Sequence, residues 1–307
     1  MAAFIARRLA AAVPVLLGIT FVAFILVHMV PGNPAKVILF GSQATPQQIA
    51  GLTRQLGLDQ PFWDQYARFL WQLLHGNLGT SYQTQDSVAY ELLSRTPSTL
   101  ILTGAAMVVA VGIGVPLGVL AGARPGSLLD RAARAVSFLG VAVPYFFLAL
   151  LLVLLFSVWL RWFPAIDNGS FGALVLPAVS LGWGYAAILT RLIRGRIIEE
   201  YRTEYVRSAR ARGCAEWRVL LRHMLRNSSI PAITTIGLQF GNILTGAAVT
   251  EVIFGRAGLG SYLATSITSK NIPVVQGAVV LIGLGYVLIN LGVDIIVGVV
   301  DPRARLA

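Results

Sequence analysis

Six stretches of this chain contain no Asp, Glu, Lys or Arg, and all are long: 9–35, 96–123, 135–160, 168–190, 227–250 and 271–293. The shortest has 23 residues. At about 1.5 Å rise per residue it reaches roughly 34 Å as a helix, enough to cross a hydrocarbon core of about 30 Å. A further charge-free run, 37–53, carries Ser42, Gln43, Thr45, Pro46, Gln47 and Gln48 and is too polar to count. With 56% hydrophobic and 12% charged residues, the composition is that of a membrane protein. The expectation is an all-α membrane protein with six transmembrane helices, near 9–30, 97–122, 135–159, 174–195, 230–254 and 273–300.

The basic residues orient these spans. With the N-terminus in the cytoplasm, seventeen Arg and Lys fall on the inner side and seven on the outer side. Cytoplasmic loops carry such an excess, so both termini are expected in the cytoplasm. Arg7 and Arg8 precede the first apolar run, which is longer than a signal-peptide core and lacks a small-x-small site near His28, so it reads as an uncleaved anchor. Cys214 is the only cysteine; no internal disulfide can form, and it reads as structural filler.

The chain divides into an anchor and first span (1–30), an extracytoplasmic segment with amphipathic helices (31–96), a core of spans two to six (97–300) that includes a cytoplasmic loop (196–229), and a cytoplasmic tail (301–307). Phe62, Trp63, Tyr66, Phe69, Leu70, Leu73 and Leu74 form an apolar stripe in the second part. It suits a helix lying on the outer membrane face or its own bundle, and it could also dock an external partner. Pro144 lies inside the third span and kinks or bends it. Gly182 and Gly184 allow close packing of the fourth. Asp294, in the sixth, reads first as a partner for an inner arginine and second as a proton site.

The loop is the most charged part of the chain. Residues 199–212 lack Pro and Gly, with Glu199, Glu200 and Glu204 early and Arg207, Arg210 and Arg212 late, an order that favours helix. Beyond Gly213, Trp217, Leu220, Leu221, Met224 and Leu225 recur at helical spacing. The pattern predicts two short helices with a sharp corner at Gly213, where left-handed backbone comes cheaply. Pro231 is expected in the first turn of span five.

Span five has two distinct faces. Thr235, Gln239, Asn242, Gly246 and Thr250 line one; Gly237, Gly241, Thr245 and Ala248 line another; Glu251 stands at its outer end. The polar face serves either helix packing or a water-filled path, so Thr235, Gln239, Asn242, Thr250 and Glu251 are candidates for a translocation pathway. The chain has no phosphate-binding loop: Lys36 and Lys270 are its only lysines, and neither follows Gly. His28, His75 and His223 are far apart in sequence, with no zinc-site spacing. An enzyme or a resident metal is not expected, and one in-membrane carboxylate is few for an ion-coupled transporter. Energy from elsewhere is the simpler reading.

The run Tyr205 to Gly213, YVRSARARG, resembles the EAA loop of ABC importer permeases, in the dipeptide/oligopeptide/nickel branch, and RHMLRNSSIP (222–231) extends the likeness. So do Leu56 to Pro61, Gly76 to Gly79, Thr250 to Gly255, Gly258 to Gly260 and Asp301 to Arg303. Arg207 stands where the broad pattern has Glu and Arg226 where it has Pro, both usual in this branch; Asn77 replaces an Asp, and Arg256-Ala257 a Trp-Pro. The resemblance implies a type I ABC importer permease fold in a bacterial inner membrane and half of a pathway for short peptides. The partners it implies are a second, similar permease, two cytoplasmic ATPases or one fused one, and an extracytoplasmic binding protein. ATP and Mg would be bound by the ATPases, with no cofactor in this chain. Glu204, Tyr205, Arg207, Ser208, Ala209, Arg210, Arg212 and Gly213 would dock on an ATPase. Look-alike permeases also serve nickel chelates and haem. A secondary transporter working without ATP is the rival class. A helix-turn-helix reading of the loop fails because membrane spans tether it on both sides, so no nucleic-acid partner is expected.

Overall fold

The computed structural model describes residues 2–29, 45–55 and 57–300. Among them the regular structure is helical, apart from one isolated bridge between Thr80 and Ser87. The tail 301–307 and Leu56 of the quoted motif lie outside the described residues. Helix α1 is Ala2–Met29, α2 Pro46–Gln55, α3 Phe62–Leu74 and α4 Val88–Ala123. Then follow α5 (Leu128–Ala142), α6 (Tyr145–Leu152, prolonged by a π-helical stretch to Trp159) and α7 (Gly172–Glu200). The basic loop holds α8 (Glu204–Ala211) and α9 (Glu216–Arg218), and the chain ends with α10 (Leu225–Ile253), α11 (Leu259–Thr268) and α12 (Ile272–Val300).

Helices α1, α4, α7, α10 and α12 contain stretches long and apolar enough to cross a membrane. The third expected span, 135–159, is not straight. α5 and α6 pass the same test only together, and they meet at 104°. Pro144 causes the break: it offers no N–H to the preceding turn and drives its predecessor out of helical space, so Val143 sits at ψ 120°. Several helices run past their expected ends, α1, α5 and α10 at their starts among them. α4 begins at Val88 rather than 97, and its 36 residues rise about 54 Å. α7 continues to Glu200 rather than 195, because charged side chains at a helix end reach water while the backbone stays helical.

The core is the α4–α7 pair. Gly114, Gly118 and Gly122 recur every four residues on α4, facing Leu189, Ile193 and Ile197 of α7. A Cβ at any of them would stand 2.8 Å from the facing side chain, so the two backbones approach as only glycine permits. Leu102, Ala106 and Ala110 of α4, Leu181 and Leu189 of α7, and Ile243 and Ala247 of α10 complete this core. The small-residue face of α10 works as its spacing suggests. Gly237 meets Val293 and Gly241 meets Tyr286 of α12, while Ala248 meets Gly260 of α11.

Other elements are pinned at points. α1 lies on α12, with Ile19 against Gly283, Phe4 against Gly298, and Arg8 paired to Asp294 at 3.1 Å. α3 lies on α1 through its aromatic stripe: Phe62, Tyr66 and Phe69 pack round Phe24, and the Tyr66 hydroxyl donates to the Leu17 carbonyl at 3.2 Å. That is the bundle-packing reading of the stripe, with Trp63, Trp71 and Leu74 left exposed. α5 lies on α7 through Gly140, beside Trp183 and Ala187, and through Asp130 and Arg194.

Candidate coupling and translocation sites

At the arginine-rich end, the tip of α7 carries a protruding corner. Three residues after Glu200 turn the chain into α8, which is seated through two residues, Val206 and Ala209. Both are buried, in one cluster with Val119 of α4, Ile193 and Ile197 of α7, and Val219 and Met224. Burying one such valine stabilises by about 1.5–2 kcal/mol, whereas the exposed pairs on the helix contribute at most about 1 kcal/mol each. Those pairs are Arg207 with Glu204 at 3.2 Å and Arg210 with Glu216 at 2.8 Å. Packing therefore fixes α8, and the charges decorate it. The Arg210 guanidinium also lies 4.7 Å from the ring centre of Tyr201, and Tyr205 donates to Glu200. The carboxylate of Glu216 beside it holds the Arg210 guanidinium even above its ordinary range.

Glu204, Tyr205, Arg207, Ser208, Arg210, Arg212 and Gly213 are exposed, as a docking surface requires. Ala209 differs. It is 3% exposed and faces the bundle, so it seats α8 rather than reaching outward. Val206 was missed by motif reasoning, although its spacing of three from Ala209 marks a buried face. Gly213 has φ +76°, the left-handed turn expected of it.

The second short helix of the corner is not separate. α9 runs through a π-helical turn, Val219–Met224, straight into α10. A π turn holds more residues than an α turn and rotates the following face. Val219 and Met224 are consequently buried, while Trp217 and Leu221 of the expected stripe are exposed. Pro231 lies inside α10 instead of in its first turn. Membrane helices accept such a proline where local winding adjusts. Beside the corner, Leu120, Leu128, Leu129, Tyr201, Trp217 and Leu220 line an open cavity of about 860 Å³.

The pathway candidates separate in the structure. Thr235 is half-buried, and its hydroxyl donates to the Pro231 carbonyl at 2.9 Å. Asn242 is exposed. Gln239 and Thr250 are buried, and their side-chain polar atoms have no hydrogen-bond partner among the described residues. Glu251 is held by three hydrogen bonds. Fully buried, it accepts from the Thr99 hydroxyl at 2.5 Å and from the Gly260 and Ser261 amides at 2.8 and 3.1 Å. It fastens the first turn of α11 to Thr99 of α4 and to the end of α10, and with Ser261 it lines an open cavity. Nearby, Tyr262 donates to Glu91 under the Arg95 guanidinium, and Arg256 pairs with Asp167 at 2.9 Å. Among the described residues no cluster of His, Cys, Asp or Glu could hold a metal ion.

A protein-family comparison matches residues 114–306 to the "Binding-protein-dependent transport system inner membrane component" and residues 1–103 to the corresponding N-terminal family. The chain is 37% identical to the dipeptide transport system permease protein DppB of Escherichia coli K12, over 99% of both chains. It is 37% identical to the glutathione transport system permease protein GsiC of Salmonella paratyphi A, over 98% of both. Its fold is similar to that in inward-facing structures of the MetNI methionine ABC transporter, with a TM-score of 0.60 and 21% identity over 69% of this chain and 97% of that one. The chain belongs to the inner-membrane permease components of binding-protein-dependent ABC importers, as a multi-pass protein of the cytoplasmic membrane.

Proposed function

We propose that this chain forms half of a translocation pathway for short peptides and takes its drive from a cytoplasmic ATPase seated on α8. In this reading the arginine-rich end and both termini face the cytoplasm, the excess of basic residues there supporting that orientation. A second permease subunit supplies the other half, a binding protein delivers cargo from outside, and ATP with Mg is bound by the ATPases. The division at 1–30, 31–96, 97–300 and 301–307, with 196–229 as the coupling loop, goes with this reading. The observation that carries it is the build of α8: a short helix anchored by Val206 and Ala209, exposing Glu204, Tyr205, Arg207, Ser208, Arg210 and Arg212 beyond the end of α7. Cargo is argued from the relatives, whose names specify a dipeptide and glutathione, itself a tripeptide. The face of Thr235, Gln239, Asn242 and Thr250 on α10 is the candidate lining, since its buried polar atoms await partners that a second subunit, water or cargo would provide.

The test is reconstitution of the full complex in liposomes with a labelled dipeptide. Uptake should require both ATP and the binding protein, and Arg207→Cys should cross-link to the ATPase. Uptake by this subunit without ATP would instead make it a secondary transporter.

A further inference from the structure

The acidic residue most completely enclosed near the arginine-rich end plays no part in the α8 surface. Asp130, in the first turn of α5, is fully buried. One of its carboxylate oxygens accepts from Arg194 Nε at 2.5 Å, and the other from Arg194 Nη2 at 3.1 Å. The Gly126 amide donates to it at 2.9 Å, and Arg134 approaches to 3.7 Å. A two-pronged guanidinium–carboxylate contact fixes orientation as well as distance. The pair ties two helices together, and removing Arg194 leaves the buried Asp130 carboxylate with only the more distant Arg134.

Its place in the fold gives the pair a task. Arg194 stands between Ile193 and Ile197, the α7 residues that share one buried cluster with Val206 and Ala209 of α8 and with Val219 and Met224. The same two isoleucines face Gly118 and Gly122 of α4. Asp130 therefore joins α5 to the turn of α7 that enters the same buried cluster as α8. α5 leads to the Pro144 bend, and beyond the bend Tyr145 approaches Gly246 on the polar face of α10. A displacement of α8 reaches α5 through this ion pair, and through the bend it reaches α10.

We infer that Asp130 and Arg194 are positioning residues for coupling, transmitting movement of α8 to the bent α5–α6 span. The inference rests on the reading of α8 as the ATPase seat. If the pair merely stabilised the fold, its loss would lower the amount of assembled complex and leave transport per ATP unchanged.

The experiment measures ATP hydrolysis and dipeptide uptake on the same proteoliposomes of the complete transporter, with Asp130→Asn and Arg194→Lys. Hydrolysis per assembled complex should persist, while uptake per ATP falls by roughly threefold to thirtyfold. An unchanged ratio in an assembled variant overturns the inference. Arg194→Lys keeps the charge but loses the fork, and it is read in the same way if Asp130→Asn does not assemble. Cross-linking from Arg207→Cys is run alongside. A cross-link to the ATPase with an unchanged ratio sinks the role of the pair alone. Absence of cross-links from every exposed α8 position sinks the reading beneath it.

Discussion

Two glycines illustrate how differently the same residue constrains this protein. At Gly213 nothing lies within 4 Å of where a Cβ would stand, but φ is +76°. A side chain there would cost about 1–2 kcal/mol in backbone strain and nothing in packing. Gly213→Leu should therefore lower the melting temperature of the purified subunit only slightly, and Gly213→Asn less still, since asparagine accepts left-handed angles. At Gly118 the backbone is ordinary, yet a Cβ would meet Ile193 at 2.8 Å and the Thr190 carbonyl at 2.9 Å. Gly118→Ala should destabilise by about 1–3 kcal/mol in detergent melts, more than either change at 213. Gly213 was legible because it interrupts two amphipathic patterns, whereas the duty of Gly118 depends on a partner seventy-odd residues away. Tyr262 gives a pH prediction. Burial first, and then the Glu91 carboxylate, push its phenol up to about 12. The unfolded phenol titrates near 10, so the unfolded state loses the proton first as pH rises. This contribution to stability is complete below about pH 10 and fades between about 10 and 12, and Tyr262→Phe should flatten that part of a melting-versus-pH curve.

Helix existence was readable because a charge-free run of membrane length has few alternatives. Helix ends and bends were less so. The charge-free windows understate α4 and α7, whose charged ends remain helical. Pro144 announced a break without its size, since proline restricts only its own φ and its predecessor, and the 104° reflects what α5 and α6 each pack against. Pro144→Ala restores a backbone donor and should partly straighten the pair. Spin labels on Ala135 and Val158 would then move apart, and uptake should fall with assembly retained; an unmoved distance would assign the bend to packing. In the corner, the π turn at Val219–Met224 rotated the expected stripe, burying Val219 and leaving Leu221 exposed. Hydrophobic spacing assumes α winding and cannot register an inserted residue. Of the pathway candidates, Glu251 shows the same limit: its spacing put it at the end of α10, and the partners that hold it, on α4 and α11, are distant in sequence or beyond a turn.

For the whole molecule, the proposed orientation has a direct check. In a Cys214→Ala background, Arg207→Cys should react with a membrane-impermeant maleimide only from the cytoplasmic side, and Thr268→Cys only from outside; both side chains are exposed. Labelling of both from one side would refute the six-crossing reading. The bend at Pro144 also bears on how the chain enters a bilayer during synthesis. Each arm of the pair has the length of about fifteen residues, or roughly 22 Å, too short to span alone. A nascent chain that has emerged only as far as Trp159 thus offers the translocon two half-measures and an Asp130 whose two-pronged partner, Arg194, has yet to emerge. Stable insertion of that stretch must wait for α7, making biogenesis of this region a joint event instead of one span at a time.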